Sequence, residues 1–405
     1  MASLTYRGDA QAISQINTVT VGGTYANGQV YTVTMNRKEV AYTSVSGDSN
    51  TTVATALQAL LAASIEQEFA EVVWTVSGLV ITGTAYDPGV PFTNTSSATG
   101  TGTLVTATTT ASAGPYDWST ADNWSGGAVP VNSDDVTVAG TAGHIRYGLD
   151  QNAVTLTGLV FAPTWSGDVG LPDYNGNYYE YRDRYLKIKV NGTVNVNCGS
   201  GLMRLNLSSQ AATIQVDATG SPTSAGLPAL SLLGTGSNTL NVLSGSWGVA
   251  IGAGETSTIT TVRQGSGGSR ATDATGTLGS GCTLTTVNVA SGTLEINANS
   301  TTLNLTDGEI TIKGSATLTT LNADGGTVYY QSTGTLTTNN LGTGAKIDYT
   351  RDSRSRTVTN TTMAPGSTLL DPTKSVTFTN PILLSRCGLS EVTLDLGSNI
   401  SIQRS

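Results

Sequence analysis

Between residues 282 and 350 the chain repeats itself. Val287-Asn288-Val289 is followed by Leu303-Asn304-Leu305, Leu321-Asn322-Ala323 and Asn339-Asn340-Leu341, at steps of 16, 18 and 18 residues. A second short alternating segment follows in each unit, starting at Gly292, Gly308, Gly326 and Ala345, at steps of 16, 18 and 19. Two short strands per unit cannot bury their apolar sides alone, whereas stacked units bury a continuous core. The repeat therefore predicts a parallel β-helix, or β-solenoid. A unit this short predicts a small or flattened cross-section. Asn288, Asn304, Asn322 and Asn340 recur at one site and predict an asparagine ladder. Weaker echoes at Val194–Val196, Leu205–Leu207 and Leu240–Val242 extend the stack upstream. After Thr350 the phase blurs. The solenoid is accordingly placed at 116–350, with 351–405 as a short β C-terminal cap or interaction region.

The composition agrees with a mainly β chain. Only 12% of residues are charged and 48 are Gly, which suits short Thr- and Val-rich strands with tight corners. Residues 1–95 differ from the rest. Alternating segments at 17–21, 30–36, 39–43, 72–76 and 79–84 predict strands. Val53, Leu57, Leu60, Leu61 and Ser64 follow helical spacing behind the N-cap candidates Asp48, Ser49 and Asn50. This is a small α+β domain with one helix on a sheet. Residues 96–115 are rich in Thr, Ser and Gly and predict a linker carrying one strand at 103–108. The segments Tyr31-Thr-Val-Thr, Val40-Ala-Tyr-Thr, Ser46-Gly-Asp48, Glu71-Val-Val-Trp74-Thr-Val and Pro91-Phe-Thr93 resemble a domain encoded among the head genes of tailed phages. The resemblance covers the first quarter of the chain and brings no catalytic motif.

Trp118 and Trp124 belong to the segment Tyr116-Asp-Trp-Ser-Thr-Ala-Asp-Asn-Trp124-Ser-Gly-Gly-Ala-Val-Pro130, followed by Asp134, Asp135 and a strand. It resembles the opening segment of many bacterial and phage β-helix surface proteins. A solenoid end exposes core and strand edges, so terminal aromatics are expected to cap it. A sugar-binding aromatic pair is the competing assignment.

Little in the chain points to catalysis. The formal net charge of −9 disfavours nucleic acid and anionic membranes as partners. Arg351, Arg354 and Arg356 form a short basic run, taken as solvated turn charges. Cys198, Cys282 and Cys387 match no metal spacing and are expected to be buried or incidental thiols. No apolar stretch suits a secretory signal or a membrane span, so neither is expected. The single histidine, His144, sits in a Gly/Ala-rich turn without a nucleophile elbow. Asn132, Asp134 and Asp135 lack calcium-loop spacing. No catalytic residue, cofactor or metal is assigned. The glycoside-cleaving alternative requires paired carboxylates, for which Asp173, Glu180 and Asp183 are the candidates. They lie among Tyr174, Tyr178, Tyr179, Tyr181 and Tyr185, a run expected to leave the solenoid as a loop. An intermolecular interface is the favoured role for these tyrosines, with packing on the coil and a glycan site as alternatives.

Together the resemblances imply a non-enzymatic virion structural protein of a tailed phage, made in the host cytoplasm. It would be a capsid decoration or head fibre on the capsid exterior, docked on the major capsid protein or another virion protein. A homotrimer is expected by analogy with other slender virion solenoids. A host surface glycan is the remaining candidate partner. The alternative is a tail-spike-like receptor-binding protein or glycan depolymerase.

Overall fold

The computed structural model describes residues 2–140, 142–174, 178–198, 201–223, 226–265, 274–397 and 402–404. Two long parallel sheets run its length and enclose one continuous apolar core. In the regular region one sheet stacks Cys282–Val289, Ser300–Leu305, Leu318–Ala323, Leu336–Leu341 and Arg356–Met363. The other stacks Thr293–Ile296, Glu309–Ile312, Thr327–Tyr330 and Lys346–Asp348. In Ser300–Leu305 the burial pattern is buried, exposed, intermediate, buried, intermediate, buried. Two successive outward residues, Thr301 and Thr302, break the alternation of a flat strand, so the chain bends there. The same break recurs at Thr319-Thr320 and Thr337-Thr338. Each coil thereby gains a short third side from a strand of six residues. Gly308 and Gly326 make the tight corner before the second sheet. Both have positive φ, and a Cβ on either would lie 2.5 Å from the carbonyl oxygen of the glycine one coil earlier.

The asparagine ladder is present. Asn304 Nδ2 donates to Asn288 Oδ1 at 2.8 Å, Asn322 to Asn304 at 2.8 Å and Asn340 to Asn322 at 2.9 Å. Of the upstream echoes, Asn195 and Asn241 fall in the same column, separated by Gln215. Asn206 lies in the opposite sheet, where it pairs with Lys187 and Leu233.

Two boundaries differ from those expected. Coils continue beyond residue 350: Arg356–Met363 pairs in register with Leu336–Leu341, and Ile402–Arg404 still pairs with Ile382–Leu384. The described residues from 351 onward are therefore largely more solenoid. The phase blurs because the step from Leu336 to its partner Val358 is 22 residues, and the added turn carries Arg351, Asp352 and Arg354. Arg356 is buried and donates to the carbonyls of Tyr330, Asp352 and Arg354. Arg354 pairs with Asp352 at 2.6 Å, and the Arg351 guanidinium lies 3.1 Å from the Tyr329 ring centre. The three arginines are thus engaged one by one, and Arg356 is not a solvated charge.

The second difference lies at the other end. Ser3–Tyr6 pairs in parallel with Asp135–Val138, as the first strand of the solenoid sheet. The α+β unit is consequently an insertion into the first coil, not an appended domain. It also includes most of the expected linker. Gly102–Thr110 pairs with Ile16–Gly23, and Thr95–Ala98 pairs with Val30–Met35. Its helix, Asn50–Ala63, starts at the N-cap Ser49 and buries Val53, Leu57 and Leu61 in a core separate from that of the shaft. The two connections meet where Ile13 N–H donates to the Ala113 carbonyl at 2.7 Å. Replacing residues 14–112 with an Asn-Gly turn should therefore leave a folded shaft. Far-ultraviolet circular dichroism would retain the β signal, and its loss would show that the shaft requires the module.

One core column carries a polar fault. Val287, Leu303, Leu321, Asn339 and Thr361 stack in register. Asn339 is fully buried, and neither its amide nitrogen nor its oxygen meets a hydrogen-bonding partner. Asn339→Leu, matching Leu303 and Leu321, should raise stability by about 1–3 kcal/mol, the usual cost of an unpaired buried polar group. A lower unfolding midpoint in urea would contradict this.

Candidate functional site

Trp118 and Trp124 are buried at the start of the stack. Their ring centres are 4.7 Å apart and edge-on, and Tyr6 packs on Trp124 at 5.2 Å. Trp124 Nε1–H donates to the Trp118 carbonyl at 2.8 Å. This is a cap, and burial leaves neither ring free to stack on a sugar. Asn123, beside Trp124, was not singled out from sequence, yet it staples the insertion to the shaft. Its amide donates to the carbonyls of Gly114 and Asp117 at 2.7 and 2.8 Å, and its oxygen accepts from Ala10 N–H at 3.0 Å. The Asn-Trp pair of the opening segment thus joins a staple to a cap.

Asp134 accepts from the backbone N–H of Ala2 and of Val131, and these bonds hold its carboxyl below the ordinary range. Asn132 accepts from Thr155 N–H at 2.7 Å. These oxygens hold backbone in place. His144 is kept neutral first by burial and then by the Arg146 charge, against the opposing pull of Asp168. Its Nδ1 lies 3.0 Å from both the Asp168 backbone nitrogen and an Asp168 carboxylate oxygen. The Asp168 carboxylate is held by Arg146 at 3.0 Å and by Leu202 N–H at 2.8 Å. The three cysteines are free and buried. Burial raises the thiols of Cys198 and Cys282, to about 11 and about 12, so both stay protonated near neutral pH.

The aromatic segment after Leu171 does not simply project. It folds back against the inserted module and, with it, lines two adjoining cavities of about 370 and 470 Å³ that share Phe92, Arg146, Tyr147, Leu171 and Arg182. The centre of the junction is Glu71, placed at the end of the short helix Gln67–Ala70 where the chain turns into the strand Val72–Ser77. Glu71 accepts from the hydroxyls of Tyr178 and Tyr181 and forms an ion pair with Arg182. Arg182 also pairs with Glu180 at 3.1 Å and covers the Tyr181 ring at 4.3 Å. Burial alone would raise the Glu71 carboxyl, but the tyrosine hydroxyls and Arg182 outweigh it and hold the group below its ordinary value. The Tyr178 hydroxyl is pushed up to about 12 by burial and by Glu71, so it remains a donor.

The expected site residues are therefore divided. Tyr178 and Tyr181 serve this clasp. Tyr185 is buried and donates to Glu255 at 2.9 Å. These three do not form an outward interface. Tyr174 and Tyr179 do face outward, 51% and 80% exposed, with ring centres 5.3 Å apart. Asp173 pairs with Arg184 and Arg204, Glu180 with Arg182, and Asp183 with Lys187. Each candidate carboxylate has its own cation. Glu71 carried no local signal, because its partners lie more than 100 residues along the chain.

No protein-family model matches the chain, and no curated protein matches it. Among the described residues no helix is long and apolar enough to cross a membrane.

Proposed function

We propose that the chain is a non-enzymatic structural protein of a tailed-phage virion, a capsid decoration or head fibre whose inserted α+β module docks on the particle and whose solenoid projects from it. The observation that carries the proposal is a stacked-coil shaft with a separately cored module clasped to one end by Glu71, Tyr178, Tyr181 and Arg182. The module also holds half of the fourteen large apolar side chains exposed among the described residues, including Val45, Leu60, Ile65, Val73 and Val105. The regular coils at 282–350 hold none of them. A surface that binds protein presents such residues, whereas a solvated shaft does not. The carboxylates of the aromatic segment, each paired with Arg or Lys, support a role without catalysis.

Gold labelling of intact virions with an antibody to the shaft tests the location. Label over the capsid is expected, and label confined to the tail tip would overturn the assignment. Tyr174 and Tyr179 are the proposed contact of a homotrimer. Sedimentation should give three chain masses, falling to one in Tyr179→Asp, and a monomeric wild-type chain would remove the trimer.

A further inference from the structure

The outward face of the sheet that carries the asparagine ladder is more regular than the ladder alone. Thr193, Thr213, Thr239, Thr261, Thr286, Thr302, Thr320 and Thr338 stack in one unbroken column over eight coils. Two residues along each strand, on the same face, runs the column Asn195, Gln215, Asn241, Arg263, Asn288, Asn304, Asn322 and Asn340. None of the eight threonine hydroxyls is bonded to the protein, and each inner ladder amide uses one of its two N–H groups and one carbonyl lone pair on its neighbours. Every coil from 286 to 340 thus offers solvent a hydroxyl, an amide N–H and an amide oxygen, repeated at roughly 4.8 Å. The ladder also borders a groove of about 480 Å³ that runs along the shaft axis past Asn304, Asn322, Asn340, Thr362 and Ser385. Four coil steps at roughly 4.8 Å make it about 19 Å long.

We infer that this groove binds a linear, uncharged polysaccharide laid along the shaft axis. Its lining extends along the shaft over five successive coils, the run an extended chain would follow. Its amide and hydroxyl floor is uncharged, and the one ionisable residue lining it is Asp324, which repels polyanions. Vicinal sugar hydroxyls pair with amides that offer a donor and an acceptor side by side, and a repeating polymer meets such a pair at Asn304, Asn322 and Asn340 in turn. Many weak equivalent contacts then add along one chain. An ordered water lattice would match the threonine column but gains nothing from the protruding amides, and Arg263 rises from the plane. A second copy of the chain would bring one uncharged hydroxyl array against another, with no apolar area to bury.

The test uses the full chain with cello-, laminari-, manno- and isomaltohexaose, and with oligogalacturonate as the charged comparator. Saturable binding of at least one neutral hexaose and none of the polyanion is expected, by titration calorimetry or ligand-observed nuclear magnetic resonance. Thr306→Tyr and Ser385→Tyr, which fill the groove without touching the ladder, should each weaken binding by roughly tenfold or more. Thr327→Tyr, on the opposite sheet, should leave it unchanged. Equal melting temperatures for the four proteins would show that occlusion and not unfolding is being read. Failure of every neutral hexaose to bind would overturn the inference. So would binding that survives both groove variants, ice shaping by the wild-type chain without sugar binding, or self-association abolished by Thr306→Tyr. Each result stands apart from where the chain sits on a virion.

Discussion

Trp124→Ala should destabilise the first coils by about 3–5 kcal/mol, the cost of emptying a buried aromatic site. Trp124 is enclosed by Tyr6 and Trp118 at the start of the stack, and its removal opens the apolar core that begins with Leu4, Val136 and Leu159. In a stacked repeat each coil is stabilised mainly by its neighbours, so damage at one end stays near that end. Amide hydrogen exchange should accordingly show lost protection at Gly158–Phe161 and little change at Glu309–Ile312. Trp124→Phe retains most of the apolar bulk and loses the bond to the Trp118 carbonyl, at a cost of about 1 kcal/mol. Uniform loss of protection along the whole shaft would mean that the solenoid unfolds as a single unit and that the tryptophans are not a local cap.

The coils and the cap were legible in the chain because both are written locally. Asn288, Asn304, Asn322 and Asn340 recur at nearly constant steps, and the bonds joining them are the ones that period implies. The helix Asn50–Ala63 was equally plain, since its apolar spacing and its cap at Ser49 lie within one short stretch. What escaped depends on pairing between distant segments. Ser3–Tyr6 has only four residues, and its partner strand starts at Asp135, so nothing nearby marks it as solenoid. Thr95–Ala98 has the composition of a linker and becomes a strand through Val30–Met35, and the strand expected at 103–108 joins the module sheet through Ile16–Gly23. Composition describes the side chains, whereas a strand is decided by what lies beside it. Arg356 concealed a coil in the same way. It occupies an inward position by giving its guanidinium to main-chain carbonyls, an arrangement that apolar periodicity cannot register. The tyrosine run favours an outward position because aromatic residues with polar tips suit interfaces. The interface that Tyr178 and Tyr181 serve lies within the chain, and its other half is Glu71.

Arg182→Ala should release the module from the shaft while leaving both folded. The substitution strands Glu71 among two tyrosines and Glu180 beneath them, and breaking a largely buried pair of this kind costs about 3–5 kcal/mol. The module has its own core, so the loss should fall on docking. Protease sensitivity at 173–185 should rise sharply, with the melting of the regular coils unchanged. Acid should reproduce part of the effect. Because the Glu71 carboxyl is held below its ordinary value of 4.5 in the docked state, its contribution is complete above that value. It is lost as pH falls from there through the lowered one. Exchange protection of the amides around Tyr181 and Arg182 should therefore be flat from neutral pH into weak acid and decline below. Glu71→Gln keeps an acceptor for the tyrosine hydroxyls but no charge for Arg182, so it should bind the module less tightly at neutral pH and lose most of the acid dependence. An acid decline that persists unchanged in Glu71→Gln would assign the pH response to a group other than Glu71.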